Sequence, residues 1–323
     1  MPRTRFVREL SAFALVEPVV VRMGEPAPPQ AQGARAIVSE ANHWQALRPY
    51  FDAVATLETI FMTSAGYDHV AQRYEGVSIV NARGAHGGST AEMAIAMILA
   101  HTKKFVAFEA AKRQHNWVYG VSGSMQGARI LVLGAGDLGR RIARIATAME
   151  ADPVLFARTA RGDVHALSEV GAWLAGAYAV VIALPMSAEL RRLADAAFLA
   201  AIPDGGILVN VGRGGIVDTD ALVRELATGR IAAGIDVTDP EPLPANHPLW
   251  DAPNLILTPH VGGFARGSFG RIIQVMGAGM EAMARGETPD NLIPLAALPP
   301  PTPRPTTGSK TGPEARRDAT AIG

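Results

Sequence analysis

Three short apolar runs in the second half of the chain, 207–211, 231–237 and 255–257, end in residues that a packed core does not require. The first runs into Asn210-Val211-Gly212-Arg213-Gly214. The second ends in Asp236-Val237-Thr238-Asp239-Pro240-Glu241-Pro242, and the third in Thr258-Pro259-His260-Val261-Gly262-Gly263. Parallel strands ending on one edge would bring Arg213, Glu241 and His260 together. These three residue types suit one reaction. A hydride arriving at a ketone leaves a developing alkoxide that needs a proton, and imidazole titrates near neutrality. A neighbouring carboxylate orients the ring and favours its protonated form. A guanidinium forks onto a carboxylate and polarises the adjacent carbonyl. Each residue also has a plainer use: Arg213 pairing with Asp218 at a helix start, Glu241 on the surface, His260 in a turn. Three such coincidences at consecutive strand ends make the weaker account.

A groove for the hydride donor is written in residues 128–161. An apolar run at 130–133 suits a strand buried on both faces. Gly134-x-Gly136-x-x-Gly139 follows at once, then Leu138, Ile142, Ile145 and Met149 at helical spacing, then a second apolar run at 154–156. Strand, glycine turn, helix and strand within about 30 residues make the dinucleotide-binding fingerprint. Gly134 allows the turn off the strand, Gly136 lets a pyrophosphate reach the backbone, and Gly139 lets the helix pack on the strand. The N–H groups of Asp137, Leu138 and Gly139 then face the phosphates at the positive end of the helix dipole.

The end of the second strand selects between cofactors. An NAD site places an acid there, roughly 20 residues past the glycines, to bind the ribose hydroxyls. This chain has Arg158, Thr159 and Arg161, with no carboxylate between Pro153 and Gly162. An acid would repel a 2′-phosphate and a guanidinium would pair with it. One or two charged hydrogen bonds would favour NADP(H) by about 10- to 1000-fold. NADP(H) is therefore the expected cofactor and NAD(H) the alternative; a solvated basic loop is the bland reading.

The elements that must position these residues alternate between strands and helices. Runs at 19–21, 36–38, 59–62 and 77–80 read as strands of a first parallel sheet. The loops 63–68 and 81–88 follow the last two of these, and the small residues of the former leave N–H groups free for a carboxylate. Thr90 is expected to cap a long Ala-rich helix to about 113, with Met93, Met97 and Ile98 on its buried side. Residues 114–127 form a polar connection that includes Trp117. Runs at 180–184, 207–211, 231–237 and 255–257 bring the second sheet to about six strands, with helices around 188–201 and 218–229. Gly234 within a strand marks a close backbone approach. The stretch 264–285 is helical again. Seven prolines from Pro294 to Pro313 predict a disordered tail beyond about 295.

At 323 residues the chain is long for one core. The expectation is an α/β protein of two Rossmann-like, doubly wound parallel-sheet domains with a cleft between them: 1–98 plus 268–294 for substrate, 99–267 for NAD(P), and 295–323 as tail. A hydrophobic fraction of 48% with zero formal charge describes a soluble globular protein with no electrostatic reason to bind nucleic acid. No apolar run reaches the length of a membrane span. The charged opening MPRTRFVREL lacks the apolar core of a secretory signal, so the expected location is cytoplasmic. With no cysteine, disulfides and thiolate metal sites are excluded, and no metal is expected.

From about 64 to 291 the chain resembles the D-isomer-specific 2-hydroxyacid dehydrogenase family, which includes glyoxylate/hydroxypyruvate reductases and phosphoglycerate dehydrogenases. The resemblance rests on SAGYDHV, TAE, GAGDLG, VNVGRG, GIDVTDPEPLP and HPLW…PNLILTPHVGG, in family order. It implies that Arg213 binds substrate, that Glu241 and His260 form the acid/base pair, and that Asp236 holds the nicotinamide carboxamide. It places the substrate carboxylate on the backbone of Ala65 and Gly66. Further cofactor contacts are implied at Leu184, Pro185 and Ser187, at Val211 and Gly212, and at His260 and Gly262. A homodimer through the nucleotide domain is implied too. The chain departs from the family at Asp137-Leu138, where Arg-Ile is common and an acid beside a pyrophosphate must turn away. It also has Lys103-Lys104 where an arginine is common. Arg83 and His86 are unusual, and the expectation is that they read a substrate's distal group.

The function expected is reduction of a small 2-oxo acid by NADPH. Two rivals stand beside it: a non-catalytic NAD(P)-sensing corepressor-like protein, and another chemistry on the same fold, such as phosphoglycerate, phosphonate or formate oxidation. Formate oxidation needs no acid/base pair of this kind, so Glu241 argues against it.

Overall fold

A computed structural model describes residues 3–21, 25–39, 49–50, 54–68, 70 and 73–302. Two parallel sheets carry the architecture. The first has the order β1-β2-β4, from β1 (Ala36–Ser39), β2 (Thr59–Met62) and β4 (Ser78–Val80). The second has seven strands in the order β11-β10-β9-β8-β5-β6-β7. These are β5 (Arg129–Leu133), β6 (Asp152–Ala157), β7 (Val164–Ala166), β8 (Ala179–Ile182), β9 (Ile207–Asn210), β10 (Ala232–Ile235) and β11 (Leu255–Leu257). The order reverses between β5 and β8, so the glycine turn after β5 opens at the switch point where doubly wound sheets bind ligands. Strands β8 and β9 are buried along their whole length, as parallel strands covered on both faces must be.

Helix α1 (Arg3–Leu10) packs beside the C-terminal helix α8 (Ser268–Ala284), with Phe6 edge-on to Phe269. Helix α8 then buries Phe269, Ile272, Ile273, Met276 and Met280 against Phe61 and Val80 of the first sheet. The long helix joining the two halves, α2 (Gly87–Thr102), sets its alanines, Met97 and Ile98 on the second sheet. A Cβ on Gly234 would stand 2.6 Å from that of Met97, which is the close approach its strand position implied. The ring of His101 donates to the carbonyl of Ala233 at 2.8 Å and fixes the end of α2 to β10. Burial holds that imidazole below its ordinary pKa. On the other side of the sheet lie α6 (Ala196–Ala201) and α7 (Thr219–Ala227), capped by Asp195 and Asp218; the short α5 (Gly171–Leu174) precedes β8.

Several sequence expectations are corrected. The run 19–21 forms no strand; Val19 and Val20 are exposed, and a β-prone triplet with no neighbour to pair with stays irregular. Helix α2 begins at Gly87 with His86 in the N-cap position, so Thr90 sits in the first turn and donates to the His86 carbonyl. The helical pattern to 113 is broken at Lys104, whose φ of +56° turns the chain into a separate α3 (Phe105–Arg113). Strand β7, three residues at the sheet edge, was not foreseen. Helix α8 starts at Ser268 rather than 264, after α4 (Asp137–Ala148) has begun as expected behind the glycines. The tail is ordered at its start: Leu295–Ala297 makes a 3-10 turn, and β12 (Pro301–Thr302) pairs with β3 (Arg73–Tyr74). Residues 303–323 lie outside the described residues.

Candidate active site

The loops after β9, β10 and β11 meet as the strand order demands. His260 follows β11 with a φ of +54°, a left-handed conformation that histidine tolerates better than bulky residues do. Its N–H donates to the Asp236 carbonyl at 2.7 Å. The ring Nδ1 lies 2.8 Å from Glu241 Oε2. A carboxylate only accepts, so Nδ1 carries the hydrogen and Nε2 is left for chemistry. Glu241 is fixed in turn by the Thr238 N–H, 2.9 Å from Oε1. Arg213 is close enough for its charge to act on both residues. The hydrogen bond to Glu241 raises the His260 pKa, against burial and Arg213. Burial pushes the Glu241 carboxyl up, but its hydrogen bonds to His260 and Thr238 leave it lowered.

Arg213 reaches out of the second sheet to the loop after β2. Its Nε donates to Asp68 Oδ1 at 2.8 Å and its Nη1 to the Gly212 carbonyl at 2.8 Å. The guanidinium lies so close to Gly66 that a Cβ there would stand 1.4 Å from Nη2. The pairing with Asp218 considered from sequence does not form; Asp218 caps α7 and meets Arg192 at 3.6 Å. The carbonyls of Ala65 and Gly66 are held by Asn81 Nδ2 and Ser64 Oγ. Their N–H groups find no acceptor among the described residues and are available to a carboxylate. His69 of the same loop lies outside the described residues.

The cofactor groove fits a dinucleotide. A Cβ on Gly139 would fall 1.7 Å from the Gly134 carbonyl oxygen, so the helix packs there only without a side chain. Gly134 has a φ of +123°, and its Cβ position is blocked by the Ala183 carbonyl. Gly136 faces open space. The Asp137 carboxylate pairs with Arg141 at 2.8 Å, beside Gly87, while Leu138 is half-buried. Across the groove Leu184, Val211 and Gly212 are buried and Pro185 is exposed. The buried Ser187 hydroxyl has no hydrogen-bond partner among the described residues, an orphan that a bound cofactor would satisfy. Arg158 and Thr159 are exposed at the end of β6, with Arg158 Nη2 3.8 Å from Glu189 Oε2.

Asp236, expected at the nicotinamide carboxamide, also holds its own neighbourhood together. It is 2% exposed, and its carboxylate accepts from Thr258 Oγ1, Val261 N and Gly262 N, so here it serves the His260 loop. Arg83 is exposed and donates through Nη2 to the Asp290 carbonyl, while both ring nitrogens of His86 face backbone carbonyls. Sequence reasoning missed three positioning residues. Asn210, fully buried, closes the turn that presents Arg213; an asparagine before a glycine turn was its signal. Asn81 and Asp68 stood inside loops already singled out, but nothing local marked their partners.

A switch-point groove for a dinucleotide, edged by an imidazole–carboxylate pair and an arginine, defines a nicotinamide-dependent oxidoreductase. The comparisons carry this further. The family model for "D-isomer specific 2-hydroxyacid dehydrogenase, NAD binding domain" matches residues 95–262. The glyoxylate reductase of Aeropyrum pernix is 31% identical over 260 residues, 73% of this chain and 76% of that one. That of Thermofilum pendens is 28% identical over 258 residues, 75% and 76% of the two chains. The crystal structure of a D-isomer specific 2-hydroxyacid dehydrogenase from Xanthobacter autotrophicus Py2, in complex with NADPH and MES, aligns with a TM-score of 0.79. Its identity is 27%, over 90% of this chain and 94% of that one. The chain belongs to the D-isomer specific 2-hydroxyacid dehydrogenase family, whose members are NAD(P)-dependent oxidoreductases acting on CH–OH donors. Among the described residues no helix is long and apolar enough to cross a membrane.

Proposed function

We propose that this protein is an NADPH-preferring reductase of small 2-oxo acids such as glyoxylate or hydroxypyruvate. The observation that carries the reading is the 2.8 Å pair of His260 and Glu241 beside Arg213, at the ends of adjacent strands over one edge of the groove. The substrate carboxylate is held by the N–H groups of Ala65 and Gly66 and by the Arg213 guanidinium, which also polarises the carbonyl. The reduced nicotinamide, when bound, supplies the hydride. His260 gives its Nε2 proton to the developing alkoxide, while Glu241 keeps the ring in the Nδ1–H form and stabilises its charge. Asp68 holds the Nε edge of Arg213, and Asp236 holds the loop that presents His260. The groove takes the cofactor through Gly134, Gly136, Leu138, Gly139 and Ser187, with Arg158 and Thr159 at the 2′-phosphate. The division into 1–98 plus 268–294 and 99–267, a cytoplasmic location and a homodimer belong to the same proposal. The exposed apolar residues between α3 and β5 support the homodimer: Trp117, Tyr119 and Val121 are 83%, 88% and 89% exposed.

The test is a screen of NADPH oxidation across 2-oxo acids graded in length and charge. Turnover above background on a short 2-oxo acid, lost by about 10²- to 10⁴-fold in His260→Ala, is the expected result. Absence of turnover across the panel, with coenzyme still bound, would favour the sensing protein; near-normal kcat in His260→Ala would overturn the roles.

A further inference from the structure

His86 occupies the N-cap of α2, where its carbonyl accepts from the Thr90 N–H and the Thr90 and Ser89 hydroxyls. Its ring leaves the helix and enters the junction between the two sheets. Nε2 is 2.8 Å from the Thr63 carbonyl, and Nδ1 is 3.3 Å from that of Gly263. Thr63 opens the loop that carries Ala65 and Gly66, and Gly263 closes the loop that carries His260. A Cβ on Gly263 would lie 3.1 Å from Nδ1 and crowd this contact. A neutral imidazole has one N–H, and the shorter distance assigns it to Thr63. The Gly263 carbonyl takes its hydrogen from Ser268 Oγ at 2.7 Å, and Nδ1 of His86 rests beside it as a packing contact. Ser268 is 2% exposed and accepts from Arg271, whose Nε donates to the carbonyl of Ala85, next to His86. Hydrogen bonds run from Gly263 through Ser268 and Arg271 to Ala85, and the ring of His86, the next residue, packs against the Gly263 carbonyl from the other side.

We infer that His86 is a positioning residue that sets the separation between the loop receiving the substrate carboxylate and the loop presenting the acid/base histidine. A 2-oxo acid anchored at Ala65 and Gly66 must place its carbonyl oxygen within hydrogen-bond reach of His260. Both loops are irregular backbone, and His86 touches one carbonyl of each. The inference rests on the 2-oxo acid reductase reading.

The test compares three substitutions. In His86→Gln the side-chain amide nitrogen stands near the position of Nε2 and keeps the bond to Thr63; in His86→Asn the amide reaches only toward Gly263. His86→Ala and His86→Asn are expected to raise KM for the best 2-oxo acid and lower kcat/KM by about tenfold. His86→Gln should recover most of the KM. NADPH affinity, read by fluorescence titration, should stay within about twofold in all three, because the groove residues do not touch the ring. A wild-type KM in His86→Ala, or no recovery in His86→Gln, would overturn the assignment. If the wild-type protein reduces no 2-oxo acid, the reductase reading fails on its own, and hydrogen exchange in the coenzyme-free protein still decides the clamp. Exchange in 63–67 should rise in His86→Ala and return toward wild type in His86→Gln; unchanged exchange would overturn it.

Discussion

The pKa of His260 is raised and that of Glu241 lowered, and those directions set the sign of the pH dependence. The Glu241 hydrogen bond raises the His260 pKa, while burial and the Arg213 charge oppose the rise. Ketone reduction uses the imidazolium, so kcat/KM for reduction is full below the raised pKa and falls as pH passes through it. Alcohol oxidation uses the neutral ring and gains over the same range. Glu241→Gln removes the largest raising cause, so the alkaline limb for reduction should move to lower pH; a limb that stays in place would detach the carboxylate from proton transfer. Arg158 poses a separate residue-level question. It faces Glu189 at 3.8 Å, both largely exposed, and an exposed pair of this kind stabilises little. The guanidinium is therefore available to a 2′-phosphate. Arg158→Ala should lower the ratio of kcat/KM for NADPH over NADH by about 10- to 100-fold, and Glu189→Gln should raise it a few-fold. A ratio unchanged in Arg158→Ala would remove the arginine from cofactor choice.

Elements hold these residues through close approaches that tolerate no added atoms. Gly234 of β10 lies under Met97 of α2, where a new Cβ would sit 2.6 Å from the Met97 Cβ and 2.8 Å from its sulfur. Gly234→Ala should cost about 1–3 kcal/mol in urea unfolding with little effect on KM, because the contact is in the core behind the site. A fully stable variant would show that α2 shifts without resistance. This contact was legible in the sequence, as was the β5–α4–β6 unit, because glycine spacing and apolar periodicity are local signals. The Arg213, Glu241 and His260 loops were legible for the same reason. What was not legible depends on distant partners. Asp68 meets Arg213 across 145 positions and His86 meets Gly263 across 177, separations on which no periodicity acts. The break at Lys104 escaped because lysine is a good helix former, and only the packing of α3 away from α2 requires the left-handed turn. The run 19–21 failed in the opposite sense: it has strand-forming residues and no strand beside it.

At the scale of the molecule, the apolar surface that folding leaves over is concentrated between α2 and β5. Phe105 and Val106 on α3 are 60% and 55% exposed, and Trp117 packs edge-on against Tyr119 with ring centroids 6.4 Å apart, both largely bare. Helix α3 buries none of its residues. A helix that buries none of its residues, followed by a connection that buries Met125 alone, gains little from folding by itself, and a second surface would cover the rest. A second copy of this chain would supply it symmetrically, each Trp117 and Tyr119 meeting the same face of the other. Buried aromatic residues dominate such interfaces, each contributing about 2 kcal/mol or more on truncation, so Trp117→Ser with Tyr119→Ser should weaken association by at least about 100-fold. Light scattering behind size exclusion should then find a dimer for the wild type at micromolar concentration and a monomer for the double variant. Because the His260, Glu241 and Arg213 loops lie on strand ends of the other elements, the monomer should keep its coenzyme affinity. A double variant that remains dimeric would place the interface elsewhere.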